Sequence, residues 1–341
     1  MDMAKNIGIV GATGYTGEEL LRVLQRHSGA KVKWVTSERE AGTPAQEIYP
    51  HLPTYHHLTF LAAEDAKEID VDFVFLCLPA GKSAPLAQHF FDRHIKVVDL
   101  GADFRFRDPV AYEVWYHMGH PAPELLDKAA YGLTEWYHKE IRDAMIVGNP
   151  GCYPTSVLLA LLPLAQAGLL SDVPIIVDAK SGVSGAGKTL NPNTHFCAAN
   201  ENLTPYKPGR VHRHVGEMEQ EVAASAGSPK SIVFTPHLTP LTRGLLSTMY
   251  VQLMEKKSKQ ELLDIFNDVY ADKAFVHVLD NMPSMAMARN TNYCFIGAEP
   301  VADTNGVLLF SALDNLSKGA STQAVQNMNL MLNFEESESL L

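Results

Sequence analysis

KNIGIVGATGYTG, residues 5–17, decides the fold of the N-terminal half of this chain. Residues 5–10 predict a buried strand, the glycines form a turn, and residues 18–26 predict a helix with an apolar stripe of leucines. The spacing G-x-x-G-x-x-G is a variant of the dinucleotide fingerprint, and it stands between a strand and a helix as that motif requires. A tight turn without a ligand is the alternative. We predict nucleotide contacts at Gly11, Thr13, Gly14, Tyr15, Thr16 and Gly17, because glycines let the backbone approach a pyrophosphate.

Further strand-like segments follow along the chain. Residues 31–36, 71–78 and 95–100 are apolar runs separated by helical patterns. This alternation predicts an α/β fold with a Rossmann-type, doubly wound parallel sheet. Ligands bind at the carboxyl ends of the strands in such sheets. We therefore expect Pro79, which follows the strand at residues 71–78, to contact the nucleotide.

The end of the second strand bears on the choice of nucleotide. A site specific for NAD often places Asp or Glu at the end of this strand to hold the ribose hydroxyls. Here the strand ends with Thr36 and is followed by Ser37, Glu38 and Arg39. Ser37 and Arg39 could hold a 2′-phosphate, so we predict NADP as the cofactor. Glu38 keeps NAD possible, and Arg39 could be only a solvated surface charge.

The composition limits the class of protein. The 341 residues predict about two domains, and 46% hydrophobic with 20% charged residues is typical of a globular protein with full cores. A net charge of −11 argues against a nucleic-acid or anionic membrane surface. The start of the chain lacks a signal-peptide pattern, and no apolar run reaches the roughly 20 residues of a membrane span, so we expect a cytoplasmic protein. The four cysteines form no CxxC pair, and this spacing argues against a disulfide framework and against a metal site.

Residues 148–155, GNPGCYPT, join an apolar run to a second helical pattern. Asn-Pro-Gly is turn chemistry, and Pro154 suits a first helical turn, so Cys152 should lie at the start of a helix. Unpaired N–H groups and the helix dipole stabilise a thiolate there. We predict that Cys152 is a covalent nucleophile. The alternative is a small buried cysteine that only packs.

Two later segments carry the positive charge that an anionic substrate would need. The loop after residues 95–100 includes Arg105, our candidate for anion binding, with Arg107 the weaker one. A salt bridge from Arg105 to Asp103 or Asp108 is the alternative. In the long irregular segment 190–215, residues 207–214 hold five side chains that can be positively charged. His214 precedes a helical pattern at residues 216–224 and could be a general acid/base, with His212 as the competing candidate.

Residues 182–189 match G-x-x-x-x-G-K-T, the phosphate-binding loop of nucleoside triphosphatases. That loop must open a helix, whereas Pro192 and two neighbouring asparagines predict further loop here. We expect the glycine-rich backbone to bind a substrate phosphate or the cofactor, with Ser184 and Gly185 as cofactor contacts.

The remaining residues predict long strands, a capped helix at residue 258 and a terminal helix. The long strands suggest a mixed sheet in an α+β domain. The helix predicted at residues 320–332 has small and apolar residues on one stripe. We expect it to pack on the first domain, with Asn315 near the nicotinamide.

Taken together, these motifs resemble the N-acetyl-γ-glutamyl-phosphate reductase family. The matching segments run in order along nearly the whole chain: residues 11–17, 103–105, 148–155, 181–187, 206 with 212–214, and 314–320. The family is similar to aspartate-semialdehyde and glyceraldehyde-phosphate dehydrogenases in fold and in its thioester chemistry. Residues 215–217, Val-Gly-Glu, depart from the Thr-Pro-Glu often found in the family.

The resemblance implies roles for particular residues. It makes Cys152 the nucleophile and His214 the acid/base. The substrate-binding residues would be Arg105, Ser181, Gly182, Tyr206 and His212. It implies an NADP-binding domain of residues 1–151 and 315–341, a catalytic and dimerisation domain of residues 152–314, and a homodimer or homotetramer. Alternatives are the same reaction on aspartyl phosphate or on a carrier-linked aminoadipyl or glutamyl phosphate, and a non-catalytic NADP-sensing protein.

Overall fold

The computed structural model describes residues 4–341, and they form two compact units. The first unit runs to Pro150 and includes Ala320–Leu341, and the second is Gly151–Gly319. Each unit is built on its own seven-stranded sheet.

The sheet of the first unit is entirely parallel. Its strands in chain order are β1 Lys5–Val10, β2 Ala30–Thr36, β3 Phe60–Leu61, β4 Phe73–Leu76, β5 Lys96–Asp99, β6 Ala129–Tyr131 and β7 Ile146–Gly148. They are arranged in the order β3-β2-β1-β4-β5-β7-β6. The chain therefore leaves β1 in one direction and returns to its other side as β4, which is the switch point of a doubly wound sheet. The predicted fold class is confirmed for this half.

Helices connect these strands. They are α1 Tyr15–Leu24, α2 Ala45–Ile48, α3 Ala63–Ala66, α4 Ser83–Asp92, α5 Pro109–Tyr116 and α6 His138–Asp143. Strand β4 is buried along its whole length, as expected for a central parallel strand covered on both faces. The C-terminal helix α12, Thr322–Met331, places Ala324 and Met328 in the same core as Ile9 and Phe75.

The second unit contains a mixed sheet. Its strands are β8 Ile175–Gly182, β9 Thr204–Pro205, β10 Ile232–Thr239, β11 Leu245–Gln252, β12 Val276–Leu279, β13 Cys294–Pro300 and β14 Gly306–Leu313. The order is β12-β13-β14-β11-β8-β10-β9, with β8/β10 and β12/β13 parallel and the other pairs antiparallel. Its helices are α7 Cys152–Gln166, α8 Phe196–Ala199, α9 His214–Ala226, α10 Lys259–Tyr270 and α11 Met285–Ala288.

The strands of this mixed sheet bury alternate residues. Helix α7 packs on one face, where the hydroxyl of Ser156 donates to Ser247 Oγ (2.9 Å) and to the carbonyl of Ser311 (3.2 Å). On the opposite face Val233, Ile176 and Tyr250 lie side by side on three neighbouring strands, and they are 38%, 48% and 48% exposed. The sheet therefore has one covered face and one open, partly apolar face.

Some predicted boundaries were wrong, and the reasons are local. Residues 109–143, whose weak periodicity predicts loop and short helix, contain strand β6 besides the helices α5 and α6. Helix α5 has a start signal that the periodicity hides, because Asp108 accepts from the N–H of Val110 and Pro109 takes the first helical position. Helix α9 begins at His214 and not at Gly216. Among residues 4–341, no helix is both long enough and apolar enough to cross a membrane.

Candidate active site

Cys152 is the first residue of α7, and Gly151 is its N-cap, in extended conformation. The carbonyl of Gly151 accepts from both the N–H and the hydroxyl of Thr155, at 2.9 and 3.0 Å, which closes the first turn. Thr155 thus makes the first hydrogen bond of the helix ladder, and the N–H groups that precede it lie outside that ladder. The thiol is therefore attached where the backbone best stabilises a thiolate, as the sequence predicts.

Two glycines allow neighbouring residues to pack closely around Cys152. A Cβ added to Gly151 would lie 2.5 Å from Nε2 of His214, so the imidazole is packed against the residue that precedes the cysteine. A Cβ added to Gly319 would lie 2.8 Å from Cβ of Cys152. Distances below 3 Å exclude a side chain at either position without movement of the neighbour. The two predicted catalytic residues, 62 positions apart in the sequence, are thus brought together within the second unit.

Glu217 is a further residue of this site, and the sequence reasoning did not single it out. It is fully buried on α9, one turn after His214, and its Oε1 accepts from the N–H of Gly151 at 2.9 Å. The carboxylate ties the start of α7 to the helix that carries His214. The available signal was an acid three residues after a candidate histidine, since such residues share a helix face.

His212 occupies a different environment from His214. It is 7% exposed and packs edge-on against Tyr153, Tyr206 and Phe234. Burial, with Lys207 and Arg213 nearby, lowers the pKa of His212 to about 3. Its Nδ1 accepts from the backbone N–H of His214 at 3.2 Å, which requires an unprotonated nitrogen. His212 is therefore a neutral support for the start of α9.

Two tyrosines complete this aromatic group. The hydroxyl of Tyr206 donates to that of Tyr153 at 3.2 Å. Burial raises the pKa of both phenols well above their ordinary value, so both are neutral at physiological pH. Tyr206, a predicted substrate contact, thus lies in the same group as His212.

The predicted residues of the glycine-rich segment also cluster. A Cβ on Gly185 would lie 2.9 Å from the hydroxyl oxygen of Ser181 and 3.7 Å from Nδ2 of Asn315. Asn315 donates to Ser184 Oγ at 2.9 Å and accepts from the N–H of Gly244 at 2.9 Å. Gly182 ends β8, and a short 3-10 turn of residues 183–186 follows in place of an α-helix. This geometry matches the prediction that residues 182–189 are not a triphosphate-binding loop.

A buried ion pair supports this cluster. Arg243 donates to both carboxylate oxygens of the fully buried Asp314, at 2.9 Å from Nε and 3.1 Å from Nη2, and to the hydroxyl of Ser317 at 2.7 Å. Planar, bidentate contacts of this kind are the geometrically specific form of the Arg–carboxylate pair. Residues 314–317, which include Asn315, are therefore held by side-chain contacts to the turn that precedes β11.

In the first unit, Arg105 is 8% exposed and is oriented by carbonyl groups. Its Nε donates to Asn149 O at 2.8 Å, and its Nη2 donates to Leu100 O at 3.1 Å. The nearby Asp103 accepts from the N–H groups of Gly81 and Ser83, at 2.7 and 3.0 Å. Asp103 thus connects the loop that follows β4 to the loop that carries Arg105.

The glycine turn has the shape that the fingerprint requires. Gly11 has a φ of +77°, a conformation that side chains disfavour, and a Cβ there would lie 2.5 Å from the carbonyl of Cys77. A Cβ on Gly17 would lie 2.5 Å from Cα of Ala12, which brings α1 close to β1. By contrast, the nearest atom to a Cβ on Gly14 would be the Gly11 carbonyl oxygen at 3.8 Å. Gly14 is therefore the position where a ligand can approach the backbone.

The other predicted nucleotide contacts of this unit follow strands β1, β2 and β4. The hydroxyls of Thr13 and Ser37 are 3.0 Å apart. Tyr15 opens α1 and is 37% exposed, and the carbonyl of Thr16 accepts from Ser321 at 2.9 Å. Pro79 is exposed on the turn after β4.

The side chains of Arg39 and Glu38 differ in their contacts with neighbouring groups. The Arg39 side chain is 93% exposed and lies 3.6 Å from Glu40. The Glu38 carboxylate instead accepts from the N–H of Ala63, the first residue of α3, at 2.9 Å. The acid that would favour NAD is thus directed to a neighbouring backbone group, and the arginine is left accessible.

Comparison with known proteins decides the family. N-acetyl-gamma-glutamyl-phosphate reductase of Pelotomaculum thermopropionicum is 45% identical over 99% of this chain and 98% of its own length. The chain belongs to the N-acetyl-γ-glutamyl-phosphate reductase family. The broader semialdehyde dehydrogenase family matches in two parts, its NAD-binding domain at residues 6–144 and its dimerisation domain at residues 152–315.

Solved structures of aspartate semialdehyde dehydrogenases have a fold similar to that of this chain. Aspartate semialdehyde dehydrogenase II of Vibrio cholerae has a TM-score of 0.74 at 20% identity, covering 97% of this chain and 99% of its own. The Candida albicans aspartate semialdehyde dehydrogenase solved with NADP has a TM-score of 0.66 at 14% identity, with 96% and 98% covered. At such identities the likeness concerns the fold, and it confirms the predicted fold class for both halves of this reductase-family chain.

Proposed function

We propose that this chain reduces N-acetyl-γ-glutamyl phosphate to N-acetylglutamate 5-semialdehyde, with NADPH as the reductant and release of phosphate, as a step of arginine biosynthesis. The observation that carries the proposal is the placement of Cys152 at the start of α7, with Nε2 of His214 packed against Gly151. A thiolate beside an imidazole is the arrangement required for acyl transfer to sulfur followed by proton transfer.

The residues of the second unit account for the covalent steps. The Cys152 thiolate attacks the acyl carbon, a C–S bond forms, and the C–O bond to phosphate breaks. A nicotinamide held by Ser184, Gly185 and Asn315 would supply the hydride that the thioester carbonyl carbon accepts. His214 donates a proton to the resulting oxyanion and takes it back when the C–S bond breaks, which releases the aldehyde and regenerates the thiolate. The N–H groups at the start of α7 stabilise the oxyanion.

Binding roles follow from the same positions. Arg105 binds the anionic end of the substrate, because its guanidinium is positively charged and is oriented by two carbonyls. Ser181 and Gly182 bind the substrate beside Tyr206, while Ser184, Gly185 and Asn315 contact the cofactor. The neutral His212 supports His214 and reaches the substrate only through its other nitrogen.

The cofactor is NADP in this proposal. The Ser37 hydroxyl faces Thr13, Arg39 is accessible, and Glu38 is engaged by Ala63, so the strand end favours a 2′-phosphate over a 2′-hydroxyl. The NADP-binding domain comprises residues 1–151 and 315–341, and residues 152–314 form the catalytic domain. The chain assembles as a homodimer or homotetramer through the open face of the mixed sheet, where the Val233, Ile176 and Tyr250 side chains are exposed.

A coupled assay tests the reaction. N-acetylglutamate semialdehyde should be oxidised with NADP only when phosphate is present, and aspartate semialdehyde should react at a far lower kcat/KM. The matched control is Cys152→Ser, which should bind NADP normally and lose at least about 10⁴-fold in turnover, as expected when one member of a catalytic group is removed. A parent protein without activity, or a serine variant with more than a hundredth of the parent rate, would reject the mechanism.

A further inference from the structure

The C-terminal helix α12 carries an unusual set of buried side chains. Gln323, Gln326, Asn327 and Asn329 are each fully buried although polar. A buried amide is costly unless its polar atoms find partners, so the identity of those partners indicates what each amide holds in place.

Asn327 contacts two segments of the first unit. Its Nδ2 donates to the carbonyl of Gly132 at 2.9 Å and to Oδ1 of Asn149 at 3.0 Å. Its Oδ1 accepts from the hydroxyl of Thr134 at 2.9 Å. These three contacts determine both the position and the orientation of the amide.

Asn149 links the Asn327 amide to Arg105 through hydrogen bonds. Its Nδ2 donates to the carbonyl of Ala320 at 3.0 Å, and its backbone N–H donates to Asp99 O at 2.8 Å. Its own carbonyl accepts from Nε of Arg105 at 2.8 Å. Asn149 is 1% exposed, and it is joined to α12 by its side chain and to the guanidinium by its backbone.

The packing around Asn149 leaves little room for adjustment. A Cβ on Gly148 would lie 2.1 Å from the carbonyl oxygen of Phe104, and a Cβ on Gly132 would lie 2.6 Å from Nδ2 of Asn327. Residues 148–149 are therefore held between the loop that carries Arg105 and helix α12. In a close-packed interior, a shift on one side is transmitted to the other.

We propose that Asn327 is a positioning residue for substrate binding, which fixes Asn149 and through it the guanidinium of Arg105. The proposal rests on the proposed function, in which Arg105 binds the anionic end of the substrate. Removing the Asn327 amide takes this donor from the Gly132 carbonyl and from Asn149 Oδ1, so the peptide that holds Arg105 loses one of its anchors and can shift. Misplacement of a binding group by about 1 Å costs up to about 10²-fold.

Asn329 provides a matched control on the same helix. It is equally buried, accepts from Nε2 of His27 at 2.9 Å and donates to the carbonyls of Glu336 and Glu338, each at 3.1 Å. Asn327→Ala and Asn329→Ala should lower the melting temperature by similar amounts. Only Asn327→Ala should raise the KM for N-acetylglutamate semialdehyde, by about tenfold, with kcat within about threefold of the parent value.

A double-mutant cycle tests the route through Arg105. In an Arg105→Ala background, adding Asn327→Ala should leave the KM unchanged, because the group it positions is already absent. Thr134→Val, which keeps the side-chain shape and removes one contact to Asn327, should shift the KM in the same direction by less, and it replaces the alanine variant if that one does not fold.

The outcomes separate this proposal from the proposed function. Equal KM changes in Asn327→Ala and Asn329→Ala, or an undiminished Asn327 effect without Arg105, would overturn the positioning role while the reductase activity stands. An inactive parent protein would reject the proposed function, and the positioning role with it.

Discussion

Two turns of this chain share a backbone conformation and differ in their surroundings. Gly14 caps α1 with φ −75° and ψ 168°, and Gly151 caps α7 with φ −67° and ψ 155°. Both follow a strand of the parallel sheet. At Gly14 a Cβ would meet its nearest atom at 3.8 Å, whereas at Gly151 it would lie 2.5 Å from His214 Nε2.

The difference in the space around Gly14 and Gly151 suits the first turn to cofactor binding and the second to catalysis. Each turn presents the N–H groups of a helix start, which favour negative charge. The turn at Gly14 has room for an external anion such as a pyrophosphate. The turn at Gly151 is closed by an imidazole of the same unit and is followed at once by a thiol, so in the proposed mechanism the negative charge at this turn is carried by the protein itself.

Among the tests of this comparison, the largest effect is expected at His214, whose side chain closes the turn at Gly151. His214→Asn should lower kcat by about 10²–10⁴-fold, the usual contribution of a general acid/base, because Asn cannot transfer the proton. His212→Asn is the matched control, and it should raise KM with a smaller effect on kcat. Steady-state kinetics of both variants from pH 6 to 9 measure this, and the pH dependence should change only when His214 is removed. A larger kcat loss in the His212 variant would reverse the two roles.

The buried His212, which supports the start of α9, should make the free energy of unfolding depend on pH. The pKa of His212 is lowered to about 3 in the folded chain, so the unfolded chain alone binds the proton between about pH 6.5 and 3. This contribution is complete above pH 6.5 and is lost as the pH falls. Relative to His212→Phe, the parent should lose about 2 kcal/mol of unfolding free energy between pH 6.5 and 4.5. Urea unfolding at several pH values tests it, and parallel pH curves for the two proteins would contradict the assignment.

Alanine at each capping glycine tests the comparison itself. Gly151→Ala should displace the His214 ring and lower kcat by about tenfold with little change in NADP affinity. Gly14→Ala has space for its methyl group, which would meet the ligand instead, so NADP binding should weaken by about tenfold while kcat at saturation is kept. Kinetics with calorimetric NADP titrations separate the two results. Loss of NADP affinity in both variants would contradict the assignment of cofactor binding to the Gly14 turn and of catalysis to the Gly151 turn.

The smallest expected effect lies at the edge of the open turn. Arg39→Ala should reduce the preference for NADP over NAD by about fivefold, since a contact to a phosphate from so exposed a side chain contributes about 1 kcal/mol. Equal kcat/KM for the two cofactors in the parent would reject the NADP assignment.

Ala63→Pro extends this test to Glu38. It removes the N–H that holds the Glu38 carboxylate, at a first helical position that accepts proline, and the preceding Ala62 already has φ −70° and ψ 151°. The released carboxylate should improve NAD binding. Unchanged NAD affinity would show that this contact has no part in cofactor choice.

Local patterns predicted more of the fold than of the site. The strand, glycine turn and helix of residues 5–24 are correct because their periodicity and glycine chemistry are local, and the fold class is confirmed in both units. Strand β6 was missed because three residues cannot show a period. Glu217 and Asn327 were missed for another reason, since both look like ordinary helix residues until their partners, Gly151 and Asn149, are known.

By itself, the sequence determined the parallel sheet, the open glycine turn, the placement of Cys152 at a helix start and the family of the chain. Each of these depends on neighbours within about 20 residues or on motifs in a consistent order. Only the tertiary structure decided that His214 closes the turn before Cys152, that His212 is buried and neutral, and that α12 reaches the residue that holds Arg105. Burial and hydrogen bonding between distant segments arise only when the chain is packed, so spacing alone does not encode them.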